Sequence, residues 1–125
     1  MKKIVRFLPS IIWMGIIFYF SSRQTTGIGG DSYWGRFLIL KSFHIIEYGI
    51  LAMLLFFAFN RQKNTILFSI IYAFSDELHQ AFVDGRTATF RDIFFDLSGI
   101  FLGLFIIINL LNIKKIKNLV VHKYI

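Results

Sequence analysis

Four apolar runs dominate the chain, at about residues 4–20, 43–59, 65–83 and 93–111, and short polar segments separate them. A run of 17 to 19 residues makes roughly 25–28 Å of helix, close to the ~30 Å hydrocarbon thickness of a bilayer. The pattern predicts four membrane-crossing helices, and hence an all-α bundle in a single domain over residues 1–125 with a basic tail at 112–125. Pro9 falls in the first turns of the first run, where a missing amide proton costs least. The Lys2-Lys3 start has the charge of a secretory signal. No small-x-small cleavage site follows before Ser21, so the run reads as a retained helix.

Composition agrees with the pattern. Hydrophobic residues make up 56% of the chain and aromatic residues 18%, more than a water-soluble domain carries. There is no cysteine, which excludes a disulfide framework, a thiolate zinc site and a thiol nucleophile. The net charge of +7 raises nucleic acid as a partner, but the basic residues cap apolar runs instead of sharing one polar surface, so no nucleic acid is expected.

The Lys and Arg distribution gives a direction. Lys2, Lys3, Arg6, Arg61, Lys63, Lys114, Lys115, Lys117 and Lys123 fall on one side, and Arg23, Arg36, Lys41, Arg86 and Arg91 on the other. Nine against five places both termini in the cytoplasm. All the acids, Asp31, Glu47, Asp76, Glu77, Asp84, Asp92 and Asp96, fall in the outer half. The link at 60–64 is a tight inner turn. The outer loop at 21–42 is long, holds Gly27, Gly29 and Gly30, and has Tyr33-Trp34 to lie in the interface, as a lid or binding segment would. The basic tail reads as a stop-transfer flank on the inner leaflet, with His122 solvated.

Counting helical rise from the inner boundary puts Asp76 at about 18 Å, Glu47 at about 20 Å, His79 at about 22 Å and Asp96 at about 24 Å. Ionisable groups at that depth cost roughly 2–3 kcal/mol each on insertion scales, so they must face the bundle interior, a partner or water. Helical spacing allows this. Lys41, His44 and Tyr48 share a face with Glu47 alongside; Asp76, His79 and Gln80 share another; Asp92, Asp96, Gly99 and Gly103 form a stripe. A polar pocket opening outward between the second, third and fourth helices is the expectation. Gly99 and Gly103 permit close helix contact below it. Asp84-Gly85 is a turn signal that would project Arg86 over the mouth, where a guanidinium can hold a carboxylate or phosphate bidentately.

These segments resemble the VanZ-like family of bacterial membrane proteins. The resemblance rests on Phe20-Ser21-Ser22-Arg23-Gln24, on Lys41, His44 and Tyr48, on Ser75-Asp76-Glu77 with His79-Gln80 and Gly85-Arg86, and on Asp92, Asp96, Gly99 and Gly103. It covers about residues 7–111. It implies a bacterial cytoplasmic-membrane protein associated with resistance to teicoplanin, a glycopeptide with an acyl tail, and it implies no settled activity. Two positions depart from the family's pattern: Asp84 stands where Pro is frequent, and Asp96 where Asn is frequent. The added Asp96 charge calls for Lys41, Arg86, Arg91 or a cation beside it.

Three readings of the polar residues stand side by side. In the first, Arg86, Lys41, Gln80, Glu47, Tyr48, Asp92, Asp96 and Ser21 bind a membrane lipid, a lipid-linked cell-wall precursor or an acylated glycopeptide at the outer face. In the second, His79, Glu77, Asp76 and His44 supply a general base, or ligands for a divalent cation, for hydrolysis or transfer on a lipid. In the third, pairs such as Lys41 with Asp76 or Arg86 with Asp96 only lock the helices together. The sequence assigns no cofactor and no metal. Ser21 and Ser22 read as a cap on the first helix; a nucleophilic role would need a base that sequence cannot place.

Overall fold

The structure is a computed structural model, and residues 2–24, 30–86 and 88–124 are described. Gly27 and Gly29 of the outer loop, and the side chains of Lys117, His122 and Lys123, lie outside the described residues. The described chain is all-helical: α1 (Lys2–Val5), α2 (Leu8–Ser21), α3 (Tyr33–Phe59), α4 (Gln62–Gln80) and α5 (Phe90–Tyr124).

The first expected helix is interrupted. Arg6 and Phe7 form a turn whose amides bond to carbonyls three residues back, Lys3 and Ile4. Pro9 explains the break, since it has no amide proton to give Val5 and its ring crowds that carbonyl. Regular bonding resumes with Ile11 donating to Phe7 O at 3.0 Å.

The second helix starts ten residues before the expected 43, at Tyr33. Ser32, in extended backbone, caps it by accepting the Gly35 amide on its side chain, and the stacked rings of Tyr33 and Phe37 continue an apolar face across the first turn. Much of the expected outer loop is therefore helix. At the other end Asn60 takes a left-handed conformation with φ 54°, closes α3 through its amide to Phe56 O, and leaves only Arg61 before α4. The third helix ends at Gln80 instead of 83, and the Asp84-Gly85 turn follows with Gly85 at φ +80°. The fourth runs on through the basic tail to Tyr124, because residues 112–124 hold no Gly or Pro to stop it.

Three helices are long and apolar enough to cross a membrane: Lys2–Ser21, Tyr33–Phe59 and Phe90–Lys115. The fourth expected span, α4, is not among them, because polar side chains crowd both of its ends: Gln62, Lys63 and Asn64 at one, Asp76, Glu77, His79 and Gln80 at the other.

Helices α3 and α5 make the most extensive contact in the fold. The reason is glycine. A Cβ on Gly99 would strike the Ile45 carbonyl, and one on Gly103 would strike the Gly49 carbonyl, so the α5 backbone lies directly against α3 at its two glycines. Ile17, Tyr48, Leu51, Ala52, Leu55, Ala73, Ile100, Leu104 and Ile107 fill the core around this contact. Phe57, Leu78, Phe94, Phe101 and Phe105 point outward, the arrangement expected of a bundle whose solvent is lipid.

Candidate functional site

Polar side chains bridge the helices at one end of the bundle. Lys41 on α3 is ion-paired with Asp92 on α5, and one helical turn further along, His44 Nδ1 lies 2.9 Å from Asp96 Oδ1. The two rungs are 51 and 52 residues apart in sequence, so both helices advance in the same direction and α3 and α5 run parallel. The Lys41 ammonium also lies over the rings of Phe37 and Phe95, 5.8 and 5.5 Å from their centroids, where the ring faces attract it. The next turn of α3 presents Tyr48, whose hydroxyl donates to Asp76 Oδ2 of α4 at 3.0 Å.

Asp76 and Gln80 are one turn apart on α4 and share a face. Gln80 Nε2 donates to Asp76 Oδ2 at 3.0 Å and to Ser21 Oγ of α2 at 3.3 Å. His79 turns toward α2 instead. Its Nε2 lies 2.9 Å from Ser22 Oγ, and its ring stacks on Phe18 with centroids 4.2 Å apart. Glu77 points to the other side of α4. Its carboxylate is buried and faces the Thr89 amide without reaching hydrogen-bond geometry, so neither oxygen has a partner among the described residues; Asp76 Oδ1 is in the same position.

Arg86 does not stand over a pocket mouth. Its Nη1 donates to Phe20 O at 3.0 Å and to Arg23 O at 3.3 Å, tying the turn between α4 and α5 to the end of α2. Burial lowers its pKa from the usual guanidinium range, and the carboxylates of Asp76, Glu47 and Glu77 oppose that by favouring the cation. Two aromatic donors secure α2 lower down. Trp13 Nε1 donates to Glu47 O at 2.8 Å, and the Tyr72 hydroxyl donates to Met14 O at 2.5 Å. The Glu47 carboxylate itself bonds to no described residue.

Two expected pairings are therefore replaced. Lys41 meets Asp92 and not Asp76, and Asp96 meets His44 and not Arg86, Arg91 or Lys41. The parallel offset of α3 and α5 decides both, since it sets Lys41 and His44 opposite the Asp92 and Asp96 stripe. His44, Glu77 and His79 are not brought together, and among the described residues no group of three His, Asp or Glu could hold a metal ion.

An open recess of about 400 Å³ lies at this end, lined by Asp31, Tyr33, Arg36, Phe37, Leu40, Lys41, Gly85, Thr89, Arg91 and Asp92. It differs from the expected pocket between three helices: the start of α3, the start of α5 and the two connections line it, and Asp76, His79 and Gln80 do not reach it. Of the expected binding residues only Lys41 and Asp92 contribute. Sequence reasoning used Arg36 and Arg91 for orientation and missed them as lining residues. It also treated Ser22 as a cap, although its contact with His79 spans 57 positions.

No curated protein and no solved structure matches the chain. A model of the VanZ/LLP1 family matches residues 6–112.

Proposed function

The chain belongs to the VanZ/LLP1 family, and on that premise we propose that it crosses the bacterial cytoplasmic membrane four times and binds an anionic lipid or lipid-linked cell-wall ligand at the outer face. In this reading both termini are cytoplasmic, and occupancy of the site gives tolerance to an acylated glycopeptide such as teicoplanin. The observation that carries it is the charge of the recess. Arg36, Lys41 and Arg91 line it beside Tyr33 and Phe37, against the two acids Asp31 and Asp92, so the lining carries an excess of one positive charge, and Lys41 is ion-paired with Asp92. The exposed Arg91 guanidinium with rings at the rim suits a phosphate head group whose chains lie against the exposed Tyr33 and Trp34.

The ends of α4 support the fourth crossing. Its first residues follow the Asn60 turn that ends α3, whereas His79 and Gln80 meet Ser22 and Ser21 at the far end of α2. A 19-residue helix of about 28 Å joins these two levels, close to the ~30 Å hydrocarbon thickness of a bilayer. Its acids and amides do not face lipid, since Asp76, Glu77 and Gln80 are buried against neighbouring helices.

A second reading applies to the deeper part of the cluster only. Tyr48 and Gln80 converge on Asp76 Oδ2, Gln80 reaches Ser21 and His44 pairs with Asp96, bonds that bridge four helices and favour a structural lock for these residues. The recess and the lock are then two layers of one polar end.

The test is teicoplanin susceptibility of a sensitive Gram-positive host expressing wild type or Arg91→Ala, with membrane levels matched. Arg91 is exposed, so its removal leaves the packing intact. Protection by wild type and its loss in Arg91→Ala is the expected result. Equal protection by both would remove the recess from the function, and no protection by either would remove the drug.

A further inference from the structure

We propose that Ser22 and His79 act as nucleophile and general base on a lipid carboxylic ester at the outer interface. This site is separate from the recess and stands without it.

The geometry is that of an activated hydroxyl. Ser22 Oγ and His79 Nε2 are 2.9 Å apart, within reach for direct proton transfer. The stack on Phe18 fixes the imidazole plane. Ser22 Oγ also reaches Phe18 O at 2.8 Å, so its single proton has two acceptors; rotation about the Cβ–Oγ bond turns it from that carbonyl to Nε2 when the ring proton sits on Nδ1.

Charge is placed to help both halves of the reaction. Ser22 closes α2 and His79 sits in the last turn of α4, so the imidazolium formed on proton uptake lies at the negative ends of two helices. Arg86 Nη1 bonds to Phe20 O and Arg23 O, the carbonyls on either side of Ser22 in sequence. A guanidinium carries five N–H donors, so donors beyond those two bonds remain for a developing oxyanion. Ser22 is exposed, and Phe18, Tyr19 and Phe20 next to it are at least half exposed, which gives acyl chains an apolar surface leading to the hydroxyl.

The step balances within these groups. Ser22 Oγ bonds to the ester carbonyl carbon while its proton passes to His79 Nε2. The carbon–oxygen bond to the alcohol then breaks, and the alkoxide leaves with that proton. Water attacks the acyl-serine, gives a proton to Nε2 and returns Ser22 with release of the fatty acid.

The experiment is reaction of the purified full chain in detergent micelles with a long-chain alkyl fluorophosphonate, followed by proteolysis and mass spectrometry. The expected result is an adduct on Ser22, absent in Ser22→Ala, formed at least tenfold more slowly in His79→Gln and unchanged in Ser42→Ala. The adduct is mapped on wild type, so the result does not depend on a variant folding. A wild type that melts cooperatively yet carries no adduct, or carries it on another serine, would overturn the proposal. So would equal labelling rates of wild type and His79→Gln, because the histidine would then not be the base.

Discussion

Asp96 Oδ1 lies 2.9 Å from His44 Nδ1, and both side chains are buried between α3 and α5. Removing one member of such a pair strands the other in a low-dielectric interior. Asp96→Ala is expected to destabilise the fold by roughly 3–5 kcal/mol. Asp96→Asn keeps an oxygen acceptor for the ring N–H without the buried charge, and is expected to cost far less. Denaturation of the two variants in mixed micelles distinguishes them; equal losses would mean that the charge, and not the hydrogen bond, holds the helices.

The glycine contact makes a separate prediction. Gly99→Ala and Gly103→Ala each push a methyl group into a backbone carbonyl of α3, which cannot retreat as a flexible side chain could. Overpacking of this kind costs roughly 1–3 kcal/mol. Gly15→Ala meets nothing within 4 Å and should be neutral or slightly stabilising, as the better helix former. Melting temperatures of the three variants in detergent check the order.

How far the sequence could be read follows from these contacts. The i, i+3, i+7 spacing of Lys41, His44 and Tyr48 put them on one inward face because helical period alone decides that. The partners were not legible, since pairing Lys41 with Asp92 instead of Asp76 depends on the offset between α3 and α5, which arises from Gly49, Gly99 and Gly103 together. Membrane crossing was legible for the three most apolar helices. The early start of α3 was hidden because its signal is one capping serine, Ser32, ahead of a mixed aromatic and basic stretch. Ser22 and His79 were individually visible, but their meeting needs the rotation of α2 against α4, which Tyr72 and Gln80 fix through long-range hydrogen bonds while Trp13 holds α2 on α3.

Arg86 is a clasp before anything else. Its two bonds to carbonyls of α2 predict that Arg86→Ala loses roughly 1–3 kcal/mol, in the range for hydrogen bonds from a charged donor. Arg86→Lys should recover little, because one ammonium on a flexible stem does not reproduce a planar fork. Limited proteolysis should show faster cutting after Arg23 in both variants. Unchanged stability and cutting would return Arg86 to the ligand-holding role that its place in the turn suggested.

Topology can be tested directly because the chain has no native cysteine. Single cysteines at Asp31, Lys63, Asp84 and Lys114 fall on exposed positions in four successive polar segments. With four crossings and cytoplasmic termini, a membrane-impermeant maleimide added to intact cells should label Asp31→Cys and Asp84→Cys, and should reach Lys63→Cys and Lys114→Cys only after the cells are opened. If α4 stayed on the inner side, the count would be three. Asp84→Cys would then be protected and Lys114→Cys labelled, the opposite result at both positions. That outcome would also separate His79 and Gln80 from the outer end of α2, which their bonds to Ser22 and Ser21 forbid. The polar end of the bundle and its fourth crossing therefore stand or fall together.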